Sequence, residues 1–112
     1  MPLNTNGFSA AVGGVTAVAG FISIHTALPN ASGSNESTAA RKAATYSGSG
    51  ATRSLAAPLM FTGGAASGPA LYAGLWSSLT GGTFYGSIQL TGDLAFNSVG
   101  EYTITNLTIS VA

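Results

Sequence analysis

The sequence predicts an all-β domain, an antiparallel β-sandwich or partly closed barrel with a short N-terminal helix. Three observations lead there. Short runs rich in Phe, Tyr, Ile, Leu and Thr recur along the chain. The turn pairs Gly63-Gly64, Gly81-Gly82 and Gly92-Asp93 fall between them. Helical spacing of apolar residues occurs only near the N-terminus. At 112 residues the chain suffices for one core, and neither a fixed-period repeat nor a long linker divides it. It reads as a single domain over 1–112, with residues 1–19 as lead-in and helix and residues 20–112 as the sandwich.

The elements follow in order. Over 8–19, Phe8, Ala11, Val12, Val15 and Val18 can share a helical face. Gly13 and Gly14 oppose this helix by about 2 kcal/mol, at about 1 kcal/mol per glycine. From Gly20 the pattern turns extended, since Phe21, Ile22 and Ile24 are strand formers bounded by Pro29 and a polar loop. "RKAATYS" (41–47) reads as a second strand, and "SGSGATRS" (47–54) as a hairpin loop. "SLAAPLMFT" (54–62) reads as one strand bent at Pro58; "ALYAGLWS" (70–77) and "GTFYGSIQL" (82–90) are two more.

The last run, "GEYTITNLTISV" (100–111), changes phase. Tyr102 and Ile104 are even-numbered, whereas Leu107, Ile109 and Val111 are odd-numbered. A one-residue slip moves every side chain to the other face of a sheet. A bulge near Thr105-Asn106 is therefore expected to bring both sets to one face. The alternative is a strand buried on both sides, by its own core and by a neighbouring subunit.

Charge limits function. Asp, Glu, Lys and Arg make up 5% of the chain, against roughly 25% in ordinary soluble domains. Arg41, Lys42 and Arg53 balance Glu36, Asp93 and Glu101. Neutralising a phosphate backbone takes several Lys or Arg contacts, so no nucleic-acid partner is expected. Polybasic attraction to a membrane fails for the same reason. "GFSAAVGGVTAVAGFISI" is too interrupted by glycine and diluted by hydroxyls for a membrane span. Residues 1–35 also lack the basic segment of a secretory signal. There is no cysteine, hence no disulfide or thiolate metal site. Low charge favours association, and an assembled subunit is the expected state.

Catalysis needs a nucleophile, a base and a group orienting the base. Hydroxyls abound, but His25 is the only histidine and no G-x-S-x-G elbow exists. One His with scattered acids does not make a closed zinc site. The protein is expected to be no enzyme and to need no cofactor or metal. His25, Glu36 and Arg41, grouped around the loop "TALPNASGSNES", read as its structural fasteners. Glu36 and Arg41 are expected to interact directly or through His25. Short polar side chains at Asn30, Ser32, Ser34 and Asn35 can satisfy the loop backbone. Trp76 with Tyr85 could stack on a glycan, although core aromatics on adjacent strands are the plainer reading.

"SIHTALPNASGSNES", "ARKAATYS" and "AGLWSSLTGGTFYGSIQL" together resemble small virion structural proteins of tailed bacteriophages. His25, Thr26, Pro29, Gly33, Asn35, Glu36 and Arg41 match one block of that pattern; Gly74, Leu75, Trp76, Thr80, Gly81, Gly82 and Thr83 match another. Asn30 departs from it by standing where the family commonly has glycine, and Asn also tolerates positive φ. The resemblance extends over residues 8–110. It implies a non-enzymatic virion component, for which a capsid-surface decoration or minor capsid subunit is favoured over a minor tail or tail-fibre component. A carbohydrate-binding module for host attachment is the third reading. Expected partners are identical subunits, as a trimer on analogy with other virion decorations, and virion proteins such as the major capsid protein or tail proteins. Phe8, Val12, Val15, Val18, Leu107, Ile109 and Val111 are the expected assembly contacts, because their segments carry more apolar residues than one face hides.

Overall fold

Alternation along the first strand sets the architecture. In β1 (Phe21–His25), Ile22 and Ile24 are fully buried on one face, and Ser23 and His25 are fully buried on the other. A strand hidden on both faces needs cover from two directions. The remaining strands supply the first, and the loop after β1 supplies the second. The computed structural model describes residue 14 and residues 19–48 and 52–110. The helix expected over 8–19 lies outside these residues, Gly14 and Ala19 apart, as do Phe8, Val12, Val15, Val18 and Val111.

The other strands are β2 (Lys42–Ala43), β3 (Tyr46–Ser47), β4 (Thr52–Leu55), β5 (Leu59–Phe61), β6 (Tyr72–Trp76), β7 (Phe84–Gln89), β8 (Tyr102–Ile104) and β9 (Thr108–Ser110). All pairings between them are antiparallel. One sheet has the order β2-β1-β6-β7; β3-β4-β9 and β5-β8 form two smaller ones. The buried apolar cluster draws Ile22, Ile24, Ala73 and Leu75 from the first sheet and Phe61, Tyr102, Ile104, Leu107 and Ile109 from the smaller ones. The fold is all-β.

Three segments expected to be single strands are each two. Residues 41–47 divide into β2 and β3, which belong to different sheets. The break carries backbone bonds both ways: Ala44 N–H donates to Gly20 O at 2.9 Å, and Thr45 O accepts from Ala56 N–H at 2.9 Å. Residues 54–62 separate into β4 and β5 around Pro58, whose ring denies the ladder a donor. Residues 100–111 separate into β8 and β9.

The last two breaks lie opposite each other. β4 pairs β9 and β5 pairs β8, so 52–61 and 102–110 form one long interrupted ribbon. Ser54 and Leu59 are five steps apart, while their partners Thr108 and Ile104 are four apart. The extra residue therefore sits on the β4–β5 side, near Pro58, and Leu55 N–H spans the gap to Leu107 O at 3.0 Å. The phase change falls at Thr105 and Asn106, but the bulge expected there is corrected: the extra residue belongs to the opposite side of the ribbon. Thr105 and Asn106 are both exposed, and Tyr102, Ile104, Leu107 and Ile109 are all buried. This corrects the assembly reading of Leu107 and Ile109, whose exposures are 4% and 7%. The chain's own core absorbs both, and neither is left over for a partner.

Candidate functional site

The face of β1 and β6 turned away from the main cluster carries a second, polar interior. Ser23 and His25 project from β1; Trp76 projects from β6, and Phe84 of β7 lies against it with ring centroids 5.0 Å apart. Gly74, paired with Ser23 across the strands, leaves the space these side chains fill. An added Cβ at Gly74 would stand 2.5 Å from Ser23 Oγ.

The loop after β1 closes over this face. His25 and Glu36 form an antiparallel bridge at its base, with Thr26 N–H donating to Asn35 O at 2.9 Å and Ser37 N–H to Ile24 O at 2.8 Å. Asn30 Oδ1 accepts from Ser32 N–H at 2.9 Å and Ser34 N–H at 3.3 Å. Ser34 Oγ accepts from Asn30 N–H at 3.0 Å, and Asn35 Nδ2 donates to Leu28 O at 3.1 Å. Short side chains thus satisfy a backbone without regular pairing. The positive φ falls at Asn35 (63°) and Gly33 (80°), and not at Asn30, which serves as an acceptor. Gly33 lies so close to Trp76 that a Cβ there would come within 2.6 Å of the indole.

Glu36 and Arg41 meet directly. Arg41 Nε donates to Glu36 Oε2 at 2.8 Å and its Nη2 to Oε1 at 3.0 Å, a bidentate fork. Nη1 donates to Ser78 O at 2.9 Å and Gly81 O at 2.8 Å. The guanidinium carbon sits 3.6 Å from the Trp76 ring centroid, well inside cation–π range. One side chain therefore joins the loop, the turn after β6 and the indole. His25 lies beneath, 5.9 Å from Phe84 by ring centroids. It reaches the loop through the Ser34 carbonyl and not through the Glu36 carboxylate.

Hydrogen-bond directions follow from the partners. His25 Nδ1 lies 2.8 Å from the Ser34 carbonyl, which only accepts, so Nδ1 carries the proton. Trp76 Nε1 donates to Ser23 Oγ at 2.8 Å, and Ser23 O–H donates in turn to His25 Nε2 at 2.6 Å. The chain of donors runs indole to hydroxyl to imidazole to backbone, and it requires neutral histidine. Burial holds the His25 pKa below the usual 6.5, the Ser34 bond and Glu36 opposing that only in part. Protonation would oblige Ser23 to accept from both neighbours and strand its own hydrogen.

A pH dependence follows. The unfolded chain takes up a proton near pH 6.5, and the folded one only at lower pH. Stability is full above that value and falls as the pH drops from there towards the depressed folded value. The sequence has a single histidine, so this slope has one source. Urea midpoints are expected to decline between neutral and mildly acidic pH, and to be flat over that interval in His25→Gln. A flat profile in the parent protein would refute the protonation argument.

Ser23 and His25 have the spacing of a nucleophile and its base, and sequence reasoning passed over Ser23 as one serine among many. Both residues are fully buried, and the second ring nitrogen is held by a carbonyl. No reacting oxygen faces solvent in this arrangement. Among the described residues, no three His, Asp or Glu side chains group as metal ligands, and no helix is long and apolar enough to cross a membrane. Comparison of the chain with protein-family models, curated proteins and solved structures finds no match. The glycan reading of Trp76 is corrected by its cover: the indole is 7% exposed, with Arg41 over it and Phe84 against it. Tyr85 is 42% exposed, so the two rings form no common platform.

Proposed function

We propose that the chain is a non-enzymatic structural subunit of a tailed-bacteriophage virion, placed on the capsid surface as a decoration or minor capsid protein and assembled with copies of itself. The observation that carries this reading is how the chain uses its few ionic side chains. With six formal charges in all, it places buried Arg41 and its one histidine, with the partly exposed Glu36, around Trp76, where they pin a loop. The remaining surface is wetted chiefly by Ser, Thr, Asn and Gly, as suits a subunit packed among neighbours. The resemblance of residues 23–37, 40–47 and 73–90 to virion proteins is what suggests the particle.

The architecture that serves this role is a sandwich closed along one side into a partial barrel. On the β2 side, Ala40 N–H donates to Thr62 O at 3.3 Å and Thr38 Oγ1 to Gly63 O at 2.7 Å, stitching the large sheet to the ribbon. On the other side β7, β8 and β9 have outer edges that pair with no strand among the described residues. A groove of about 420 Å³ runs between them.

The test is reconstitution. Purified protein is expected to bind phage capsids that lack it, to saturate at a copy number set by the capsid lattice, and to raise their resistance to heat. Binding confined to tails would move the subunit there. Binding to neither particle would overturn the virion reading.

A further inference from the structure

We propose that residues 27–34 form an acid-released cap, which lifts from His25 and Trp76 when the imidazole takes up a proton. The base of the loop and the sheet stay in place. Acid thus opens the chain at one point before it unfolds the whole, wherever the subunit sits.

The cap is built as a separate body. Asn30 Oδ1 accepts from the Ser32 and Ser34 backbone, Asn30 N–H donates to Ser34 Oγ, and Gly33 N–H donates to Asn30 O at 3.0 Å. Leu28 O accepts from Asn35 Nδ2. All of these bonds stay within the loop. Among the described residues, a single hydrogen bond ties 27–34 to anything outside it, from His25 Nδ1 to Ser34 O at 2.8 Å. Within 27–34 only Gly33 is buried, resting on the Trp76 indole and on Phe84. The base is fastened separately, by the Thr26–Asn35 and Ser37–Ile24 backbone bonds and by the fork between Glu36 and Arg41.

Protonation turns this arrangement against itself. Nε2 accepts from Ser23 Oγ, which already accepts from Trp76 Nε1. A proton on Nε2 leaves the Ser23 hydrogen without an acceptor and sets a cation in a fully buried position. The other face of β1 is sealed by Ile22 and Ile24 in the apolar cluster, so water reaches the ring only from the cap side. The neighbouring ionisable groups do not relieve it. Glu36 favours the charged ring, but its carboxylate is committed to Arg41, whose own charge opposes it. Tyr72, paired with His25 across the strands, and Tyr85 of β7 are phenols and bring no charge in acid. The turn over 77–83 has no ionisable residue. Burial lowers the ring's proton affinity under the closed cap, and opening returns it towards the ordinary value. Falling pH therefore favours the open form, by up to about tenfold per pH unit for one proton taken up.

Acrylamide quenching of Trp76, the sole tryptophan, tests this on the full chain without denaturant. The indole is 7% exposed under the closed cap. Quenching is expected to rise several-fold between about pH 7 and about pH 5. Far-UV circular dichroism and amide protection in β1 and β6 are expected to hold over the same interval. In His25→Gln, which takes up no proton there, quenching is expected to stay level. If that variant fails to fold, the parent decides alone: the imidazole titration followed by NMR has to share its midpoint with the rise in quenching, and separate midpoints overturn the cap. Quenching that stays level in the parent, or rises equally in the variant, also overturns it. A rise that comes only with loss of the sheet signal overturns the cap and leaves the global acid dependence standing.

Discussion

Replacing Gly74 by alanine is expected to cost about 3 kcal/mol or more of stability, combining overpacking with a broken buried hydrogen bond. A methyl group there would meet Ser23 Oγ at 2.5 Å and His25 Cδ2 at 2.9 Å. Neither neighbour can yield cheaply. Ser23 is tied to Trp76 and His25, and His25 to the Ser34 carbonyl, all within a fully buried stretch of β1. The substitution should therefore lift the loop as well as strain the sheet, lowering the urea midpoint and speeding proteolysis within 26–36. Gly20→Ala is the control. A Cβ at Gly20 meets nothing within 4 Å, so its effect is expected to stay within about 0.5 kcal/mol. Equal midpoints for the two variants would show that the space beside Gly74 is not filled as described.

Such a position is invisible to a reading of the sequence alone. Gly74 stands in a run of strand formers, and the atoms that forbid a side chain there belong to β1, far back in the chain. What periodicity does encode is which face a residue takes. The phase change between Ile104 and Leu107 was legible for that reason, although the surplus of apolar residues it leaves read as assembly contacts at Leu107 and Ile109, which the chain's own core buries. It does not encode which strand lies alongside. Residues 41–47, 54–62 and 100–111 keep a strand-like pattern throughout, yet each changes sheet part-way. Crossing between layers takes two or three residues outside the strands and leaves the apolar alternation almost intact. Pro58 was the one visible sign, and it read as a bend because a missing N–H does not say where the chain goes next.

The polar site divides the same way. Glu36 and Arg41 were legible because they are neighbouring opposite charges in a chain with few. The rest of their setting depends on long-range contacts. Arg41 reaches Ser78, Gly81 and Trp76 across the turn after β6. An uncovered Trp76 invited a sugar-stacking role, and only the folded chain shows the guanidinium lying on it.

Arg41→Ala is accordingly expected to be the other severe substitution, at about 3 kcal/mol, the lower end of the cost of breaking a buried ion pair. The discount comes from Glu36, whose side chain is 27% exposed, so that water can solvate the carboxylate left behind. The ion pair itself is not the main loss, since desolvation offsets much of its attraction. More comes from the Ser78 and Gly81 carbonyls, which lose their donor, and from the vacated space over the indole. Three comparisons separate these contributions. Glu36→Gln keeps an acceptor and removes the charge, and is expected to cost about 1 kcal/mol. Arg41→Lys keeps the charge but cannot span two carboxylate oxygens and two carbonyls at once, and is expected to recover little. The double variant Glu36→Ala/Arg41→Ala should be scarcely less stable than Arg41→Ala alone, because the two side chains share one interaction. Trp76 is the chain's only tryptophan, so its fluorescence reports the site directly. Emission is expected to shift to longer wavelength in Arg41→Ala and Arg41→Lys and to stay nearly fixed in Glu36→Gln. An Arg41→Lys protein with parental midpoint and emission would mean that charge alone, and not the planar fork stacked on the indole, holds the loop.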